Sequence, residues 1–238
     1  KGNASYWWPY LSLMEDHDVD LPAGWSEEER GLLRGLHPAD LTLSLEEDVG
    51  FRGIDLSDEL NVRALHLVRS RANGEEGYTC MSPLYDSMNH AQEGYRNTMT
   101  YANYGAELRV TALDDILEGN QVFNSFGPDS FGRLFHDYGF VSQYPRLWVF
   151  EDDEGREISF RMFEDGGGSK FDFNPHRHPY QENITFVYEK IRDHLAFVLA
   201  NEPSGFRHVR STVKAKRFDA ALEYRQEYIK AFDAAAKR

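Results

Sequence analysis

The run SPLYDSMNHAQEGYRNTMTYANYG (Ser82–Gly105) gathers Asp86, the adjacent Asn89 and His90, and Asn97, side chains that bind polar ligands or move protons. It is too polar for a core segment and too sparing of Pro and Ser for a plain loop, so it asks for a chemical reason. A second candidate is FGPDSFGRLFHDYGFV (Phe126–Val141), in which Phe131, Leu134, Phe135 and Tyr138 follow i, i+3, i+4, i+7 spacing. Alone, it reads as a core-facing helix capped at Ser130 and stopped by Gly139. Other chemistries are poorly provided for. His176 and His178 form a pair with no third metal ligand at fitting spacing, and their flanking prolines read as a surface turn. The GGGS stretch at 166–169 does not lead into a lysine and a helix, no G-x-G-x-x-G follows a strand, and no G-x-S-x-G elbow is present.

The elements that must hold these residues follow from caps and periods. SEEERGLLRGL starts with Ser26 as N-cap and Glu29 at the capping-box position, with Leu32, Leu33 and Leu36 at helical spacing behind them. A further helix is expected from Ser57 or Asp58 to about Ser70, and Gly74 ends its pattern. The period then falls to two. ELRVTAL and QVFNSF read as strands with LEGN as the turn between them, and RLWVF and REISFRMF read as a hairpin across EDDEG. Past the Gly166–Gly168 triplet and the irregular FDFNPHRHPY, two amphipathic helices follow. One carries Ile184, Val187, Tyr188, Ile191, Leu195, Val198 and Leu199 on one face, the other Phe218, Ala221, Leu222, Tyr228 and Phe232. The boundary between units is expected between Val149 and Gly168.

Composition bounds the class. With 238 residues, 41 % hydrophobic and 14 % aromatic, the chain can bury a core, which sets disorder aside. No apolar run approaches the roughly 18 residues of a membrane span. The opening KGNASYWWPYLSL has no secretory pattern, so a soluble, intracellular protein is expected. A single cysteine, Cys80, excludes an internal disulfide and a Cys-rich zinc cluster and points to a reducing compartment. The net charge is −14, yet Arg207–Arg238 holds nine Lys or Arg against four Asp or Glu, so the rest of the chain is more acidic still. Such a body repels nucleic-acid phosphate and favours a partner with a basic protein segment.

Taken together, D-x-x-N-H (Asp86, Asn89, His90) with Asn97 behind it, two strands, and then L-x-x-D-Y-G-F (Leu134, Asp137, Tyr138, Gly139, Phe140) resembles the two signature motifs of the SET-domain methyltransferases. Order and separation agree as well. Ser70-Arg71 upstream, the I-L-E-G-N-Q-V-F stretch and the S-F-G before the helix are similar to the branch that includes the Rubisco large-subunit lysine methyltransferase and the actin-histidine methyltransferase. The resemblance, carried by residues 70–141, implies an α+β fold. It would place a helical insertion at 1–66, a SET-type β core of small twisted sheets with a pseudoknot at 67–149, and a hairpin with a helical substrate-binding region at 150–238. It implies S-adenosylmethionine as cofactor and a protein substrate, with no metal, nucleic acid or membrane. The lone cysteine agrees, because the C-terminal helices would have to close the site where other branches use Cys-bound zinc.

Residue by residue, the resemblance places Arg71, Asp86, Asn89 and His90 at the cofactor, with Ser130, Phe131 and Gly132 completing the wall. Arg71 suits the methionyl carboxylate, which a guanidinium grips in a bidentate fork. The resemblance makes Tyr138 the catalytic residue, which would orient the acceptor amine and shape the field at the methyl group. A phenol with a pKa near 10 is a poor base at pH 7. The resemblance would put Phe126 in the substrate tunnel, in an S-F-G where relatives commonly carry S-Y-G, and Ser130-Phe131 stands where they carry S-N. The family's first element, a G-x-G turn, is not found before Ser5, so the chain reads as a fragment. Two readings stay open here: a methyltransferase acting on a lysine, or a histidine, of another protein, and a catalytically inactive SET-derived binding module.

Overall fold

The computed structural model describes residues 5–14, 20–36, 54–75, 78–92, 94–103, 107–127, 130–166, 168–175, 177, 183–201 and 213–238; His176 and His178 lie outside them. Helices begin where caps satisfy their free N–H groups. Helix α1 (Trp8–Leu13) starts on Pro9, and a 3₁₀ turn at Pro22–Gly24 starts on Pro22. Helix α2 (Glu27–Gly31) has the full capping box: Glu29 N donates to Ser26 Oγ (3.2 Å) and Ser26 N to Glu29 Oε2 (2.8 Å). The helix expected to continue through Leu36 ends at Gly31 and passes into turns, but Leu32, Leu33 and Leu36 are buried all the same. Helix α3 (Glu59–Arg71) opens on Asp58, whose carboxylate accepts from Leu60 N (2.9 Å).

The strands depart further from expectation. β1 (Asn73–Glu75) and β2 (Tyr78–Cys80) pair antiparallel, and so do β4 (Thr98–Asn103) and β5 (Glu107–Ala112). Between them lies β3 (Asn89–His90), which pairs in parallel with β6 (Phe123–Asn124). LEGN is therefore not a hairpin turn. ELRVTAL pairs with a strand inside the polar run, and QVFNSF supplies the partner of the N-H dipeptide. The RLWVF hairpin forms as expected, β7 (Arg146–Glu151) against β8 (Glu157–Asp165), and gains a third strand, β9 (Gly168–Asp172), where irregular chain was expected.

Helix α4 (Phe131–Tyr138), α5 (Ile184–Ala200) and α6 (Ala215–Ala236) complete the described chain. One apolar cluster joins them to the three-stranded sheet. It includes Trp25, Leu32, Leu33 and Leu36 from the N-terminal part, Phe131 and Phe135 of α4, Trp148, Phe150 and Phe160 of the sheet, and Tyr224, Tyr228 and Phe232 of α6. Phe131 stacks on Tyr224 (centroids 5.0 Å apart), and Trp148 meets Tyr228 edge on (5.3 Å). Among the described residues no helix is long and apolar enough to cross a membrane.

Candidate functional site

Segments far apart in sequence converge on a cleft of about 230 Å³ lined by Ser70, Arg71, Asp86, Asn89, Phe126 and Tyr138, with Asp20, Lys216 and Phe140 beside them. Arg71 is the last residue of α3, and Ala72 turns extended directly after it, so the guanidinium leaves the helix end toward the turn before β3. There it donates to the Asp86 carbonyl. Asp86 is buried, its N–H donates to Ser82 O (3.0 Å), and Oδ2 accepts from the Tyr10 hydroxyl of α1. Burial, and then this carboxylate, push the Tyr10 phenol well above its ordinary value.

The short β3–β6 ladder is clasped by side chains. Asn97 Oδ1 accepts from Phe123 N (2.7 Å) and Nδ2 donates to Gln121 O (2.8 Å), while Thr98 Oγ1 donates to Phe123 O (2.7 Å). Buried Asn124 donates to the Tyr85 hydroxyl (2.9 Å) and accepts from Thr100 Oγ1 (2.8 Å). Asn97 therefore serves Asn89 and His90 by fixing the strand they pair with.

His90 receives the Phe126 N–H on Nδ1 (3.1 Å), which leaves the proton of the neutral ring on Nε2. Nε2 is buried without a hydrogen-bond partner among the described residues, and burial pulls the imidazole down to about 4, so it is neutral at pH 7. Its ring packs on Phe126 (centroids 5.2 Å) and Phe140 (6.0 Å), and Phe126 packs on Tyr138 (4.5 Å). A second cavity, about 430 Å³, is lined by His90, Phe123, Val141 and Ser142 and shares Asn89 and Phe140 with the first.

Tyr138 is held through its neighbours. Ser130 Oγ accepts from Arg133 N (3.2 Å) at the start of α4, and Gly139 ends the helix in the left-handed region (φ 73°). A Cβ at Gly139 would lie 3.1 Å from the Asp20 carbonyl oxygen, so glycine is favoured on two counts, its left-handed backbone and this tight approach. Asp137 ties α4 to α3: Arg69 Nη2 donates to Oδ1 (2.7 Å) and His136 Nδ1 lies 2.8 Å away. Burial alone would raise this carboxyl, but the His136 hydrogen bond and the Arg69 charge hold it down at about 2.

The structure thus brings Arg71, Asp86, Asn89, Phe126 and Tyr138 to one cleft and His90 to its neighbour. It does not bring Ser130, Phe131 and Gly132 there: none is among the described lining residues of either cavity. Phe131 is 0 % exposed between Trp148 and Tyr224, Gly132 is buried, and Ser130 is engaged as a cap. The reason is the helical stripe, which turns Phe131 to the core. Tyr10, Asp20 and Lys216 were not foreseen, because they come from segments with no local link to the motifs. Asn124 did leave a trace, as a polar residue inside the strand pattern QVFNSF. Chemically, the cleft offers a cation for a carboxylate, a carboxamide, and paired aromatic faces for a positive centre. No cluster of potential metal ligands occurs among the described residues.

No protein-family model matches the chain. In sequence it is similar to N-lysine methyltransferase SETD6 of Mus musculus, 29 % identical over 173 residues that cover 60 % of this chain and 36 % of that protein. It is also similar to N-lysine methyltransferase SETD6 of Homo sapiens, 25 % identical over 232 residues, 84 % of this chain and 47 % of that one. The chain thus spans less than half the length of these relatives. Its fold matches Rubisco LSMT bound to sinefungin and monomethyllysine (TM-score 0.55, 16 % identity, 99 % of this chain and 70 % of that one). It matches equally the SET domain of LSMT bound to lysine and AdoHcy (TM-score 0.55, 15 % identity, 98 % and 70 %). The chain has the fold of a Rubisco LSMT-like SET-domain protein, the branch its two motifs resemble.

Proposed function

We propose that this chain carries the catalytic part of an S-adenosylmethionine-dependent protein methyltransferase that modifies a lysine side chain. The observation that supports it most is the meeting of Arg71, Asn89, Phe126 and Tyr138 on one cleft, next to a second cavity across a shared Asn89–Phe140 wall. These residues fit S-adenosylmethionine. Arg71 would hold the methionyl carboxylate, Asn89 the amino-acid end, and the backbone at Asn89 and His90 the adenine, with the unpartnered His90 Nε2–H as a further donor. When bound, the cofactor supplies an electrophilic methyl group on a sulfonium. The protein's own part is to present a neutral amine. A free lysine, with a pKa of about 10.4, is protonated at pH 7, and the Phe126–Tyr138 ring pair excludes water and so disfavours the ammonium form. The Tyr138 hydroxyl then orients the nitrogen lone pair, and positioning carries most of the rate. Similarity to N-lysine methyltransferases supports lysine as the acceptor, and a net charge of −14 suits a target lysine within a basic segment. In this reading residues 1–66 are the insertion, 67–149 the core and 150–238 the substrate-facing part.

The test pairs binding with turnover. Calorimetry with S-adenosylhomocysteine should give the same affinity for wild type and Tyr138→Phe, while methyl transfer to lysine-rich acceptor protein falls on the order of a hundredfold. Near-normal turnover in the variant would return Tyr138 to a packing role. Failure of the wild type to bind would overturn the reading altogether.

A further inference from the structure

Two carboxylates from the N-terminal part of the chain converge on a single cation of α6. Arg217 Nε lies 3.1 and 3.0 Å from Asp20 Oδ1 and Oδ2, Nη2 lies 2.9 Å from Asp20 Oδ1, and Nη1 donates to Glu29 Oε2 (2.6 Å). The side chains are largely sequestered, Arg217 at 12 %, Asp20 at 17 % and Glu29 at 4 % exposure. Glu29 is itself the capping-box residue of α2, and its Oε1 accepts from Lys214 N (3.1 Å) at the start of α6. Asp20 is neither in a helix nor in a strand, so no backbone ladder holds it. Yet it touches the cleft twice. It is a lining residue of the cavity, and its carbonyl oxygen stands where a Cβ on Gly139, the residue that ends the helix carrying Tyr138, would come within 3.1 Å of it.

We infer that Arg217 is a positioning residue for the cleft. It acts through Asp20, which sets where Gly139 and hence Tyr138 stand opposite Arg71 and Asn89. The bidentate fork fixes the Asp20 side chain in direction as well as distance, and the second branch on Glu29 fixes the fork itself. Because residue 139 is a glycine, the Asp20 carbonyl sits beside the C-cap with no side chain between them, so a displacement of residue 20 toward Gly139 bears on the C-cap. Removing the guanidinium takes the forked donor from both carboxylates, so Asp20 loses the group that fixes its direction. The Asp20 carbonyl beside the α4 terminus then shifts, whereas the bonds of Arg71 and Asp86 and the pairing of Asn89 described above involve neither Arg217 nor Asp20 and are kept. This inference rests on the methyltransferase reading for its consequence in turnover, but its structural half is independent of it.

The experiment uses Arg217→Ala, Arg217→Lys and Asp20→Ala in the full chain, with Ser26→Ala as a variant that weakens the neighbouring cap without touching Asp20. Amide hydrogen exchange reads the relay with no ligand present, since Gly139 N donates to Phe135 O (2.9 Å). Protection at Gly139 should fall at least tenfold in Arg217→Ala and Asp20→Ala, stay near wild type in Ser26→Ala, and recover in part in Arg217→Lys. Single-turnover methyl transfer should fall about tenfold in the first two variants, with S-adenosylhomocysteine affinity changed less than threefold, and the double variant should be no slower than either single one. Unchanged Gly139 exchange, equal loss in Ser26→Ala, or fully additive effects would overturn the relay. A wild type that binds no S-adenosylhomocysteine would sink the methyltransferase reading, and the exchange data would still decide the relay by themselves.

Discussion

His90 is the residue whose environment reports most directly on the site. Burial holds its imidazole near 4, well below the ordinary 6.5, so between those values the unfolded chain takes up a proton that the folded one refuses. Its contribution to stability is fully present above about pH 6.5 and is lost as the pH falls toward 4. We therefore expect the melting temperature of the wild type to drop across that window more steeply than that of His90→Gln. Parallel curves for the two proteins would show that the ring is solvated. Asp137 acts at lower pH in the same sense: its carboxyl is held down at about 2, so the stability it gives is present above about pH 4 and lost below. Asp86, Asn89, His90 and Tyr138 were picked out in the sequence by two local motifs, and the structure brings Asp86, Asn89 and Tyr138 to one cleft with His90 in the adjoining cavity. Phe131 was expected at the cofactor wall, but the same stripe that identifies α4 as a helix points its ring into the core, where its aromatic contacts are with Trp148 and Tyr224.

Among the elements, helices were legible and short strands were not, for a physical reason. Ser26, Asp58 and Ser130 satisfy free N–H groups within three residues, so the signal and the structure share one local window. Strand β4 hides because its faces are inverted: Thr98 is buried while Met99 and Tyr101 are exposed, so alternation of apolar residues marks the outer face. The parallel β3–β6 pair has only two residues a side and no periodicity to read. At the junction of α4 with the N-terminal segment, Gly139→Ala should be destabilising by about 1 to 2 kcal/mol from its backbone conformation alone, with more from the Asp20 carbonyl. Urea titration should show a lower midpoint at an unchanged slope. No change in midpoint would mean that Gly139 does not hold the left-handed conformation in solution, and a loss of no more than about 2 kcal/mol that the Asp20 carbonyl adds nothing.

For the whole molecule, two cations of the basic C-terminal segment turn inward, Arg217 and Arg225, while Lys214, Lys216, Lys230, Lys237 and Arg238 stay exposed. Arg217 bridges Asp20 and Glu29, Lys230 pairs with Glu164 (2.7 Å), and Arg225, 2 % exposed, donates to the carbonyls of Arg34 (3.1 Å) and Val198 (3.2 Å). Helix α6 thus binds an acidic body together from within. Arg225→Met should lower stability by on the order of 3 kcal/mol, because buried acceptors lose their donor and the methionine cannot replace it. An urea midpoint within experimental error of wild type would show those carbonyls to be solvated. The β3–β6 pairing has a different consequence. It joins segments as far apart as His90 and Phe126, 36 positions along the chain, through a ladder of two residues. Closing a loop of that size costs about 3 kcal/mol in chain entropy beyond a fixed part, which so short a ladder at about 1 kcal/mol per bond does not offset. The clasps of Asn97, Thr98 and Asn124 offset part of that cost, and none of the four ladder residues belongs to the apolar cluster. Local opening of this pair at a lower free energy than the core is therefore expected, and amide hydrogen exchange would show it. A ligand that binds only the closed pair would draw the loop shut, so that occupancy and local folding become one equilibrium.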